Sequence, residues 1–132
     1  MGKAPGLVRH PTNSISEAVI GAAIEVHRQL GPGLLETIYH ACLCSELKLR
    51  QIPHRSRLNL PVTYKGIEIG KGYVVDLLIE DQLIVEIKSI DALLPIHSAQ
   101  LMTYMRLLNV RSGLLMNFNV ELLPRGLRRV LL

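Results

Sequence analysis

Two apolar runs dominate the middle of the chain, Tyr73 to Ile79 and Leu83 to Lys88, with the polar residues Glu80, Asp81 and Gln82 between them. Each run has strand length and composition, and the polar stretch reads as a hairpin turn. Upstream the apolar positions fall at helical spacing. Ser14 to Glu17 has capping-box spacing and opens a predicted helix through Leu30, with Val19, Ala22, Ala23, Val26 and Leu30 on one stripe. Gly31, Pro32 and Gly33 end that helix and start a second, expected to reach about Arg50, with Leu35, Ile38, Cys42, Leu43 and Leu47 facing inward. Arg57 to Tyr64 alternates like a strand, and Pro61 within it favours a sheet edge. Lys65 and Gly66 turn the chain into Ile67 to Ile69.

Downstream, Pro95 opens a predicted helix to about Leu108, with Ile96, Ala99, Leu101 or Met102, and Met105 on its apolar side. Ser112 to Phe118 reads as another buried strand, and Leu127 to Leu132 as a terminal strand or short helix. The order is helix, helix, three strands, helix, strand and an end of either kind. It predicts an α/β fold, a mixed central β-sheet flanked by helices. Residues 1–13 read as a loose lead-in and 14–132 as a single domain.

Three charges interrupt the two central runs: Asp76, Glu86 and Lys88. A charge in an apolar strand is costly to desolvate, so it needs a partner, a metal or a chemical role. Glu86 and Lys88 are two apart and share a strand face. If all three polar residues form the turn, Asp76 lies directly across from Glu86. Cross-strand Cβ atoms are then roughly 5 Å apart, close enough for one divalent cation to touch both carboxylates. A turn longer or shorter by one residue would send the two acids to opposite faces.

Composition narrows the setting. At 132 residues the chain is long enough for one domain with a real core. No apolar run approaches the roughly 20 residues of a membrane span. The first ten residues lack the apolar stretch of a secretory signal, and Cys42 and Cys44 are too few and too close on a helix for a disulfide framework. The expectation is a soluble, cytoplasmic protein. A net charge of +4 permits a nucleic-acid partner without demanding one. One Phe and no Trp argue against an aromatic platform for single strands. The five histidines (His10, His27, His40, His54 and His97) show no metal-ligand spacing and are read as packing or surface residues. The apolar-rich composition leaves room for a homodimer.

Taken together, Gly33-Leu-Leu-Glu36-Thr-Ile-Tyr39, Gly72 to Asp76, Ile84 to Lys88, His97 to Tyr104 and Leu115 to Asn119 resemble the PD-(D/E)XK nuclease superfamily. More narrowly, they resemble the small GxxExxY proteins within it. The resemblance runs from about Ser16 to Leu131, and Gln100 with Tyr104 is similar to the last motif of RecB-type nucleases. One departure is visible. Many relatives carry a basic residue two before the Asp, where this chain has Val74.

The resemblance implies a restriction-endonuclease-like core and a metal-dependent phosphodiesterase acting on nucleic acid, with DNA expected ahead of RNA. It implies Mg²⁺ or Mn²⁺ held by Asp76 and Glu86, with the Ile87 carbonyl as a third ligand, and Lys88 assisting attack by water. Glu36 would be an additional acid, acting directly or through water; the bland alternative is a helix-start acid favoured by the dipole. Gln100 would contact the water or the scissile phosphate. Tyr104 and Tyr39 would brace the site. Two further readings stand beside this one: a nuclease-fold protein that binds nucleic acid or a protein without cutting, and a structural ion-pair cluster with no chemistry.

Overall fold

A computed structural model describes residues 11–132. The chain forms α1 (Pro11–Leu30), α2 (Glu36–Leu49), β1 (His54–Tyr64), β2 (Ile67–Ile79), β3 (Leu83–Lys88), α3 (Pro95–Leu108), β4 (Ser112–Asn117) and β5 (Leu127–Leu131), with a short 3-10 turn at Leu123–Gly126 before β5. The sheet is mixed and five-stranded, in the order β1-β2-β3-β4-β5. Only β3 and β4 run parallel, and α3 makes the crossover between them; the other neighbours are antiparallel. Among the described residues, no helix is long and apolar enough to cross a membrane.

The period-2 alternation of the strands divides the core into two layers. Leu83, Val85 and Ile87 of β3 pack with Leu77, Ile79, Leu114 and Met116 against Val19, Ala22, Ala23 and Val26 of α1 and Tyr39, Leu43 and Leu47 of α2. Ile84 faces the opposite layer, where Leu78 and Leu115 meet Leu101, Tyr104 and Met105 of α3. Glu86 and Lys88 follow Ile84 on that same α3-facing side. His27 joins the first layer to the end of β4, its Nε2 lying 3.1 Å from the Phe118 carbonyl and 2.8 Å from that of Val120. It is a packing histidine.

Several predicted boundaries and inward faces are corrected. Helix α1 begins at Pro11, so Ser14 lies inside its first turn rather than at its cap, and the last three residues of the expected lead-in are helical. His10 and the rest of that lead-in fall outside the described residues. Leu30 is exposed at the end of α1. On α2 the inward face is rotated: Leu35 is 72% exposed and Ile38 45%, while Tyr39 and His40 are buried. The cause is the start of α2. Leu35 is its extended N-cap, not part of its helical stripe. On α3, Ile96 and Ala99 are exposed, and Tyr104 takes the place expected of Ala99 in the stripe. There the helix N-terminus is held by His97, whose Nδ1 accepts the Leu94 N–H at 2.8 Å. Pro61 sits where expected, on the edge strand, at an irregularity in register between Leu60 and Val62.

That irregularity gives two glycines different sensitivities. Gly66, in the β1–β2 turn, has φ +81° and open space around an added Cβ. Gly72 has φ +69°, and its added Cβ would overlap the Leu60 carbonyl. We expect Gly66→Ala to cost about 1 kcal/mol and Gly72→Ala on the order of 3 kcal/mol in urea unfolding, because strain and overpacking add only at Gly72. Equal losses would mean that the β1–β2 ladder yields freely at the bulge.

Candidate active site

The hairpin register is the one the polar turn implied. Ile79 pairs with Leu83, Leu78 with Ile84 and Leu77 with Val85. Continued by one step, it sets Asp76 opposite Glu86. The turn is tight: Gln82 N–H donates to the Ile79 carbonyl at 2.9 Å, and Glu80 and Asp81 both take left-handed φ values, +48° and +57°. This is the primed geometry that suits the twist of an antiparallel hairpin.

At Asp76 and Glu86 the backbone ladder stops and side chains replace it. The Asp76 N–H donates to Glu86 Oε1 at 3.0 Å, and the Ile87 N–H donates to Asp76 Oδ2 at 2.8 Å. Each carboxylate thus satisfies a backbone donor of the other strand and keeps one oxygen with no hydrogen-bond partner among the described residues. In an extended strand the N–H and C=O of one residue point the same way. The Ile87 carbonyl therefore faces the same gap, whereas the Lys88 carbonyl turns to β4 and accepts the Phe118 N–H at 2.9 Å.

Glu86 is only 7% exposed. Its carboxyl is pushed up to about 8, first by burial and then by the Asp76 charge; Lys88 pulls it back, and Glu36 pushes it up again. Tyr104 of α3 lies on the same side of the sheet. Its phenol is raised by burial and by Glu86, Tyr73 and Asp76, and its ring meets Tyr73 at 5.2 Å between centroids. Tyr73 was not singled out in the sequence, where it reads only as the first residue of an apolar run.

From the other layer, the start of α2 approaches the same gap. A cleft of about 50 Å³ is lined by Glu36, Thr37, His40, Arg57, Asp76 and Ile87. The loop before α2 is fastened from two directions. Tyr39 Oη donates to the Gly31 carbonyl at 2.5 Å and accepts the Leu34 N–H at 3.1 Å, while its ring stacks on Phe118 at 4.6 Å. Ser89 Oγ, just past Lys88, donates to the Leu34 carbonyl at 2.6 Å. Tyr39 therefore fixes where Glu36 enters without reaching the cleft itself. On the far side of β3, Asn117 clamps the exit strand: its Oδ1 accepts the Ile90 N–H and its Nδ2 donates to the Ile90 carbonyl at 2.9 Å.

The sequence-predicted residues thus divide into groups. Asp76 and Glu86 are brought together across the hairpin, and the Lys88 charge acts on Glu86. Glu36 shares the cleft with Asp76, but among the described residues no three His, Cys, Asp or Glu side chains are close enough to hold one ion. Gln100 is exposed on α3, one turn before Tyr104, and no hydrogen bond among the described residues ties it to the acids. His40 and Arg57 are in the cleft although the sequence reading gave neither a role. His40 Nε2 lies 2.7 Å from Ser56 Oγ, and burial with the Arg57 charge lowers its affinity for a proton. Their contribution depends on pairing β1 with β2, which local spacing does not encode. The thiols Cys42 and Cys44 are free and partly buried.

The free carboxylate oxygens of Asp76 and Glu86 and the neighbouring Ile87 carbonyl are oxygen donors of the kind that suits a hard divalent cation. Such a site belongs to a mixed α/β protein whose sheet carries paired acids and a lysine on adjacent strands. A model of the PD-(D/E)XK nuclease superfamily matches residues 13–130, and the chain belongs to that superfamily. Comparison with curated proteins and with solved structures gives no match.

The raised Glu86 carboxyl has a consequence for stability. Its folded value, about 8, exceeds the ordinary 4.5, so between them the folded protein keeps a proton that the unfolded chain has released. Stability then falls as pH rises through that window. In chelator, the melting temperature should decline between about pH 5 and pH 8, and Glu86→Gln should flatten the decline by roughly 5–10 °C. Parallel curves for the two proteins would show that ionising Glu86 costs the fold nothing.

Proposed function

We propose that the chain is a metal-dependent phosphodiesterase that cuts nucleic acid, with DNA as the preferred substrate. The observation that carries this is the crossed pair of bonds between Asp76 and Glu86. It leaves each acid one oxygen with no hydrogen-bond partner among the described residues, beside the Ile87 backbone and with Lys88 on the Glu86 face. A structural ion-pair cluster fits less well. Among the described residues the ion pairs are Arg28–Glu25, Arg50–Glu46 and Arg55–Asp81, all on the surface, and none involves Asp76, Glu86 or Lys88.

In this reading Asp76 and Glu86 hold Mg²⁺ or Mn²⁺ together with the Ile87 carbonyl. A divalent cation there supplies positive charge for the pentavalent transition state and acidifies the attacking water. Lys88, near enough for its charge to act on Glu86, orients that water and stabilises charge growing on the phosphate. Glu36 acts through a water from the α2 side, and Tyr104 caps the acids from α3. Gln100 reaches the substrate rather than the acids, which suits its exposure. We also assign the chain to the GxxExxY group. What supports this is the part played by Tyr39 and the Gly31–Leu34 loop in delivering Glu36 to the cleft.

The test is cleavage of linear duplex, nicked and single-stranded DNA and of RNA, in Mg²⁺, Mn²⁺ or chelator. Wild-type protein should cut with metal only. Asp76→Ala and Lys88→Ala should each lose at least about a hundredfold in rate, as removal of a transition-state contact does. Metal should raise the wild-type melting temperature but not that of Asp76→Ala. Cleavage surviving in both variants would remove these residues from the chemistry. Absence of both cleavage and a metal-induced melting shift would leave a non-catalytic binding protein.

A further inference from the structure

Arg57 lines the cleft, and its position is still to be explained. The β1–β2 register pairs Ser56 with Leu77 and Leu58 with Val75, which sets Arg57 across from Asp76. Asp76 therefore has Glu86 on one side and Arg57 on the other, three adjacent strands contributing one charged residue each. Yet the Arg57–Asp76 pair is missing from the ladder, because Arg57 takes φ +53°. An L residue in that region inside a strand is uncommon and strained. Strain of this kind is retained where the side chain's placement matters.

The guanidinium is also unused. Arg28, Arg50 and Arg55 close salt bridges with Glu25, Glu46 and Asp81. Arg57 lies beside two acids of its own cleft, Asp76 and Glu36, and among the described residues it has neither an ion pair nor a hydrogen bond. Its charge is nonetheless felt at His40. A planar, permanently charged fork with free donors, aimed at a site where phosphate is handled, matches two oxygens of a phosphate group. The size of the space agrees. At about 50 Å³ the cleft falls far below the roughly 300–1,000 Å³ of pockets that enclose small molecules, so it has no room for an extruded nucleoside.

We infer that Arg57 is a substrate-binding residue of this site, gripping a phosphate of the nucleic-acid backbone next to the scissile one, so that the site holds its substrate without reading the base. This rests on the nuclease reading above. It is tested by fluorescence anisotropy of the full chain with two labelled duplexes of unrelated sequence, over a range of salt, in chelator so that nothing is cut. Arg57→Gly removes the fork while relieving the left-handed backbone, so its melting temperature should equal or exceed that of wild type. Its Kd should nevertheless rise about tenfold for both duplexes, and the slope of log Kd against log salt should fall by about one. Arg57→Lys should keep the slope and lose affinity by a smaller factor, since it retains the charge but not the fork. In Mg²⁺ the Gly variant should raise KM more than it lowers kcat.

An unchanged Kd and slope in Arg57→Gly would overturn the inference, as would a loss confined to one of the two sequences. If wild-type protein binds neither duplex nor single strands, the nuclease reading itself fails, a result distinct from an Arg57 variant that binds as well as wild type.

Discussion

The replacement of backbone pairing by side-chain pairing at Asp76 and Glu86 is the constraint on which the site depends. Two antiparallel strands that separate must leave N–H groups without partners, and a buried unpaired N–H is expensive. Here each strand's donor is taken by the other strand's carboxylate. The acids are thereby fixed by the fold's own hydrogen-bond requirement, before any ligand arrives. Each acid uses one oxygen structurally and retains the other. A pair of carboxylates held in this way repel each other, and the Glu86 carboxyl is raised by its burial first and by that repulsion second. A cation is the natural relief.

The elements around this pair act as supports from both layers of the sheet. Glu86 faces α3 and sits under Tyr104, while the α2 start reaches the same gap from the opposite layer through the space between β2 and β3. Asn117 holds the chain just beyond Lys88, and Ser89 links that same exit to the loop before α2. Tyr104, Asn117 and Ser89 carry no charge at neutral pH. Their role is to limit the freedom of the residues that do.

Much of this was legible in the sequence because it is local. The β2–β3 register follows from three polar residues between two apolar runs, and Pro95 and Pro61 mark a helix start and an edge strand by what a missing N–H forbids. The inward faces of α2 and α3 were harder. Leu35 and Ile96 are apolar residues at helix starts, where a periodic pattern extends past the point at which the helix meets the sheet. In the sequence Arg57 is only the first residue of an alternating run, since its place opposite Asp76 requires the β1–β2 pairing and a left-handed residue within it. Tyr39 was linked to the site by resemblance alone. Its hydrogen bonds to Gly31 and Leu34 show that it works on the loop, one step removed from the acids.

The bond from Ser89 to Leu34 spans 55 residues of chain, whereas the bonds joining Asp76 to Glu86 and Ile87 span 10 and 11. Local contacts cost little loop-closure entropy and form early; distant ones wait for the rest of the structure. The hairpin acids are thus in place as soon as β2 and β3 meet. Glu36 arrives only once the α1–α2 unit has docked on the finished sheet. The acid pair is thus a property of one hairpin, and the complete cleft a property of the whole folded molecule.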